Sequence, residues 1–105
     1  MLFIVTLTYR RSAAEIEAQL DAHRDWLLAH SREGRIIVAG PLESRTGGLV
    51  VAHCADRAEV DRMMAQDPFV IHGLVGVDVR GMTPALRHDA FSPRWAEGAR
   101  SIEGA

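Results

Sequence analysis

Leu2 to Tyr9 is an eight-residue run of apolar and β-branched residues, the make-up of a strand. Alternation along it puts Phe3, Val5, Leu7 and Tyr9 on one side and Leu2, Ile4, Thr6 and Thr8 on the other. Both sides are largely apolar, so both are expected to be covered. Ser12-Ala13-Ala14-Glu15 then has the form of a capping box, in which the serine side chain and the glutamate satisfy the free N–H groups that open a helix. The helix is expected to run to about Glu33, with Gly34 supplying the left-handed residue that ends it. Ile16, Leu20, His23, Leu27 and His30 are spaced at steps of four, three, four and three, one narrow stripe of a helix. Glu17, Asp21, Arg24, Asp25 and Arg32 occupy the other side. A histidine thus sits in the middle of the apolar face.

Arg35 to Leu42 reads as a second strand ending at Gly40-Pro41, and the polar run Glu43 to Gly47 as a turn. Gly48 to Cys54 is a third strand. Asp56, with Glu59 three residues on, repeats the capping signature and predicts a shorter helix to about Gln66, with Val60, Met63 and Met64 on its apolar side. Pro68 is expected to end that helix, because the residue before a proline is pushed out of helical geometry. Leu74 to Arg80 forms the last strand, Val75, Val77 and Val79 alternating with Gly76 and Asp78. The order β-α-β-β-α-β is that of an α+β ferredoxin-like sandwich, with both helices on one face of a four-stranded antiparallel sheet. Its other face is too apolar for water, so a homodimer packed through the sheet faces is expected. This domain covers residues 1–83. The tail, 84–105, has no clear period, although Phe91 and Trp95 are large groups to leave in water. It is expected to be partly docked, with the last eight or so residues lacking fixed structure.

Composition then removes whole classes of function. A chain of 105 residues holds one core, and 48% apolar with 25% charged residues is ordinary for a globular protein. Twelve basic residues against fourteen acidic ones leave a net charge of −2, without the basic excess of a nucleic-acid binder. No apolar run is long enough to span a bilayer, and the N-terminus lacks the features of a signal peptide. A lone Cys54 permits no intrachain disulfide, so the cytoplasm is the expected location. Every basic residue is Arg; without Lys the chain has no Schiff-base chemistry of its own, whereas Arg remains able to clamp an anion.

Several features in a fixed order resemble the YCII-related (YciI-like) family. They are the first strand, His23 with Leu27, Gly34, Ala39-Gly40-Pro41, Gly48, and above all Ala65-Gln66-Asp67-Pro68-Phe69-Val70 with Gly73-Leu74 just beyond it. The resemblance runs from Met1 to about Thr83 and implies a dimeric α+β barrel of ferredoxin-like subunits, similar in fold to muconolactone isomerase. One relative is a dehydrochlorinase of a chlorinated muconate, and some members are linked to sigma-factor regulation. The family's characteristic histidine and aspartate match His23 and Asp67.

A histidine held by a carboxylate is an effective acid–base unit, since the carboxylate selects the tautomer and steadies the imidazolium. Such a pair suits a small cofactor-independent lyase or isomerase that moves a proton on a small anionic molecule. His23 is its acid or base, Asp67 the orienting group, and Arg24 or Arg10 the anion clamp. Gly40, Pro41 and Phe69 are expected to border the ligand. The plainer alternative makes His23 a packed residue satisfied by one hydrogen bond, and Asp67 a cap on the backbone of Phe69 or Val70. The protein is then a non-catalytic module that binds a small ligand or a regulatory partner. No metal is expected: His30 lies two helical turns from His23, and His53, His72 and His88 lack a ligand spacing. Ser44 and Thr46 have no evident base beside them, and no phosphate loop is present.

Overall fold

The computed structural model describes residues 1–103. Eight strand residues, Leu2–Tyr9, form β1 at the centre of the sheet. Strands β2 (Ile36–Pro41), β3 (Gly47–His53) and β4 (Val75–Met82) complete an antiparallel sheet in the order β2-β3-β1-β4. The fold is α+β and ferredoxin-like, as the alternation of patterns implied. Register puts Phe3, Val5 and Leu7 beside Ala52, Val50 and Gly48 and beside Gly81, Val79 and Val77, all on the face that carries the helices. With Phe69, Val60, Met63 and Trp26 they make one core.

Both helical segments are broken in two. The first divides into α1 (Ala13–Ala18) and α2 (Leu20–Arg32) at Gln19, whose N–H reaches back three residues to the Ile16 carbonyl. A tighter turn rotates the next helix about its axis, because it completes a circle in three residues rather than 3.6. The buried stripe of α2 is therefore centred on Trp26 and His30, with Leu20 and Leu27 partly buried beside it. Ser12 caps α1 through Glu15 N–H, and Gly34 ends α2 at φ 80°, as expected. The second segment is α3 (Arg57–Met64), capped by Asp56, and then the single turn α4 (Pro68–Ile71). Pro68 not only stops one helix but also starts another, at the first helical position, where its missing N–H costs nothing.

The opposite face of the sheet shares Ile4, Leu49, Val51 and Val38 by register, together with Met82, Asp78 and Arg80. Val38 and Met82 are exposed there. Beyond β4 the chain adds β5 (Leu86–His88), a 3-10 turn at Pro93–Trp95, and β6 (Arg100–Ile102), which pairs in parallel with β5. Phe91 and Trp95 meet edge to face, Ala96 is buried, and Glu97 lies 3.7 Å from His53 at the rim of the sheet. Up to Ile102, then, the end of the chain is built around this parallel pair rather than left without structure; residues 104 and 105 lie outside the described residues.

Gly47 is the position where the sheet is least tolerant. A Cβ there would stand 1.8 Å from the Leu7 carbonyl oxygen, a backbone atom that cannot swing away. Gly47→Ala is expected to destabilise by about 1–3 kcal/mol, the range for overpacking, read as a lower denaturation midpoint.

Candidate active site

Helix α2 and the α3–α4 junction bring His23 and Asp67 together. Asp67 is the N-cap of α4, in extended geometry at φ −65°, and its Oδ1 accepts the Phe69 N–H at 3.0 Å. The same oxygen lies 2.7 Å from His23 Nδ1. A carboxylate only accepts, so Nδ1 carries the hydrogen and Nε2 is left as the free nitrogen. Asp67 is 0% exposed, and its Oδ2 has no hydrogen-bond partner among the described residues. Burying a carboxylate with one oxygen unpaired is costly, and the histidine is the group beside it able to carry a balancing charge.

The imidazole is held as closely as the carboxylate. Phe69 stacks on it with ring centroids 3.9 Å apart and planes within 6°. Trp26 covers it from its own helix at 5.8 Å, and donates its indole N–H to the Met63 carbonyl at 3.2 Å. Tyr9 meets the Phe69 ring edge-on at 6.2 Å. The alternation of β1 places Tyr9 on this face, which is the one signal in the sequence that connects it with the site.

His23 opens into a pocket of about 270 Å³ between α2 and the helix-bearing face of the sheet. Leu7, Tyr9, Leu27 and Val50 give it apolar walls, and Gly40, Pro41 and Gly48 border it with backbone. The approach of β2 to β3 is close here: a Cβ on Gly48 would lie 3.2 Å from the Gly40 carbonyl oxygen. Arg24 and Phe69 also line the pocket. Arg24 is mostly exposed and makes a loose contact with Asp21 at 4.0 Å. Arg10 is not among the lining residues; its guanidinium lies over Gly76, which register puts on the opposite face of the sheet. Asp67 thus does both things the sequence allowed, capping α4 and pairing with His23 through one oxygen.

Other chemistry is sparse. Among the described residues no group of three His, Cys, Asp or Glu side chains could hold a metal ion, and no helix is long and apolar enough to cross a membrane. Cys54 is buried, and burial, with the nearby Glu59 carboxylate adding to it, pushes its thiol from 9.0 up to about 11. Because folding favours the neutral thiol, this contribution to stability is whole below pH 9.0 and is withdrawn as pH rises toward about 11. Iodoacetamide at pH 8 should leave Cys54 intact in the native protein and alkylate it once guanidinium has unfolded the chain.

Fold and site together define a small ferredoxin-like α+β protein with a histidine paired to a buried carboxylate at the edge of an apolar pocket. The chain belongs to the YCII-related family, whose domain model matches residues 1–83. Solved structures that share its fold include two named enzymes. One is 5-chloro-2-hydroxyhydroquinone dehydrochlorinase from Burkholderia phenoliruptrix AC1100 in complex with 2,5-dihydroxybenzoquinone, at 22% identity and a TM-score of 0.69, covering 80% of this chain and 95% of that one. The other is muconolactone isomerase, at 20% identity and a TM-score of 0.62, covering 86% of this chain and 93% of that one. Among curated proteins none matches the chain.

Proposed function

We propose that this protein is a small enzyme that transfers a proton on a small anionic organic molecule, in a lyase- or isomerase-type reaction that uses no cofactor. The observation that carries the reading is the 2.7 Å contact between His23 Nδ1 and a carboxylate that is 0% exposed, beside a pocket. Asp67 keeps the hydrogen on Nδ1 and steadies the imidazolium; His23 Nε2 takes the proton from, or gives it to, a carbon or oxygen of the bound molecule. Arg24 meets the anionic group at the rim. Gly40 and Pro41 let the ligand lie close to backbone, and Phe69 keeps the imidazole in one plane. The dehydrochlorinase and the isomerase that share the fold bear the names of enzymes acting on small cyclic molecules, the size class proposed here.

The protein is further proposed to work as a cytoplasmic homodimer joined through the open sheet face. Ile4, Val38, Leu49, Val51 and Met82 put an apolar patch on that face, beside the exposed Asp78–Arg80 pair. Sedimentation velocity should give twice the 11.5 kDa chain mass, and Val51→Asp should shift it to the monomer.

The test of the enzymatic reading is exchange in deuterated buffer. A panel of small cyclic and unsaturated carboxylic acids bearing carbonyl, enol or chloro substituents is monitored by proton NMR, with and without protein. Protein-dependent deuterium uptake, isomerisation or loss of HCl supports it. A compound that raises the melting temperature progressively, with the logarithm of its concentration above Kd, yet is never turned over, would replace the enzyme with a binding module.

A further inference from the structure

His30 lies seven residues after His23 on the same helix and is, with Asp67, one of two polar residues buried among the described residues. Proton transfer at His23 makes no use of it. Its surroundings are nevertheless closely specified. Arg35 Nε–H donates to His30 Nδ1 at 3.0 Å, so Nδ1 holds the lone pair and the hydrogen sits on Nε2. That Nε2–H points at Gln66 Oε1, 3.2 Å away. Gln66 is the residue before Asp67. One turn earlier, Trp26 donates to the Met63 carbonyl, which also accepts the Gln66 N–H at 3.2 Å. Three rings on one face of α2, at positions 23, 26 and 30, therefore each grip a different point of the α3–α4 junction: Asp67, Met63 and Gln66.

We infer that His30, locked in its Nε2–H form by Arg35 and bonded to Gln66, is a positioning residue that holds the α3–α4 junction against α2 so that the Asp67 carboxylate meets His23. The inference rests on the acid–base reading of His23 and Asp67. The need for such a grip is physical. Asp67 Oδ1 serves two donors while Oδ2 has none among the described residues, so the carboxylate would gain by turning toward water if the junction moved. The Phe69 N–H alone restrains it about one axis. The bond from His30 to Gln66 Oε1 adds a side-chain tie one residue upstream, and that from Trp26 to the Met63 carbonyl a third at the other end. The two histidines of the stripe accordingly carry opposite tautomers, each dictated by one neighbour.

The tautomers and the grip are tested together by long-range nitrogen–proton NMR on the full chain. In the parent, the neutral ring of His30 should be protonated at Nε2 and that of His23 at Nδ1. Gln66→Met keeps the shape of the side chain and removes the acceptor. It should make the His23 Nδ1–H exchange with water at least tenfold faster while the Trp26 indole N–H signal stays in place. Gln66→Glu, which retains an acceptor oxygen, should return the rate to within twofold of the parent. A His30 ring protonated at Nδ1 overturns the inference. So does an exchange rate in Gln66→Met within twofold of the parent, or a failure of Gln66→Glu to restore it. A Trp26 signal that moves along with His23 overturns it as well, since the whole helix would then have shifted. Each of these leaves the His23–Asp67 pair standing. Absence of a His23 Nδ1–H in the parent would instead sink the pair, and the grip with it.

Discussion

His23→Gln should lower the rate of proton transfer by roughly 10²–10⁴-fold, the contribution of a positioned general acid or base, while the chain stays folded. Glutamine is close to histidine in reach and its amide can still donate to Asp67 Oδ1, so the buried carboxylate keeps a partner. What it lacks is a ring nitrogen able to accept and return a proton. The assay is deuterium exchange on whichever compound the parent turns over, with the denaturation midpoint measured beside it. A variant that is folded and retains more than a third of the parent rate would remove His23 from the chemistry. Arg24→Met is the companion experiment: with a guanidinium at the rim and apolar walls within, it should raise KM and leave kcat near the parent value.

Asp67→Asn is a less innocent change than it looks, and for that reason a poor first test. Oδ1 accepts from both His23 and Phe69, and Oδ2 has no partner among the described residues. If the amide oxygen takes the Oδ1 place, the new NH₂ is buried where nothing accepts it. If it turns over, two donors face the amide nitrogen. Either way a buried donor is unsatisfied, at a cost of about 1–3 kcal/mol, so lost turnover would be confounded with lost structure.

The elements that local chemistry specifies are legible in the chain. Leu2–Tyr9 is a strand because its residues are β-branched and apolar; Ser12, Gly34 and Asp56 mark helix ends because their side chains or positive φ serve the backbone there. The differences lie where packing decides. Nothing in the sequence around Gln19 signals a break; it arises because α1 must bury Ile16 while α2 turns Trp26 and His30 inward. Trp26 falls between two histidines, off the stripe that the spacing defines, yet it donates to the Met63 carbonyl. Pro68 illustrates an ambiguity of proline itself: the same ring that ends one helix is preformed for the first residue of the next. Arg10 is one of the two candidate clamps, but strand alternation carries it to the other face. For the site, the stripe on the first helix singles out His23, and the family resemblance is what joins Asp67 to it. That one oxygen serves both His23 and Phe69 depends on the path of the chain between Met64 and Phe69, which no spacing encodes.

Phe69→Ala should be the most damaging single change in the core, at about 3–5 kcal/mol, the usual loss when a buried aromatic is cut to alanine. Phe69 is 2% exposed and joins three things at once: the sheet through Tyr9, the histidine through a parallel stack, and α4, whose second residue it is. Domains of this size are stable by about 5–15 kcal/mol in all, so the loss is a large share of the whole. It is read from urea unfolding as a lower midpoint at unchanged slope, since the native surface is little altered. Phe69→Leu refills part of the cavity and should recover much of the midpoint. It cannot restore the flat surface that holds the imidazole in one plane, and turnover should stay depressed in a chain that is folded. That separation distinguishes the two duties of the ring: a Phe69→Leu variant that regains both stability and rate would show that the stack on His23 is packing alone.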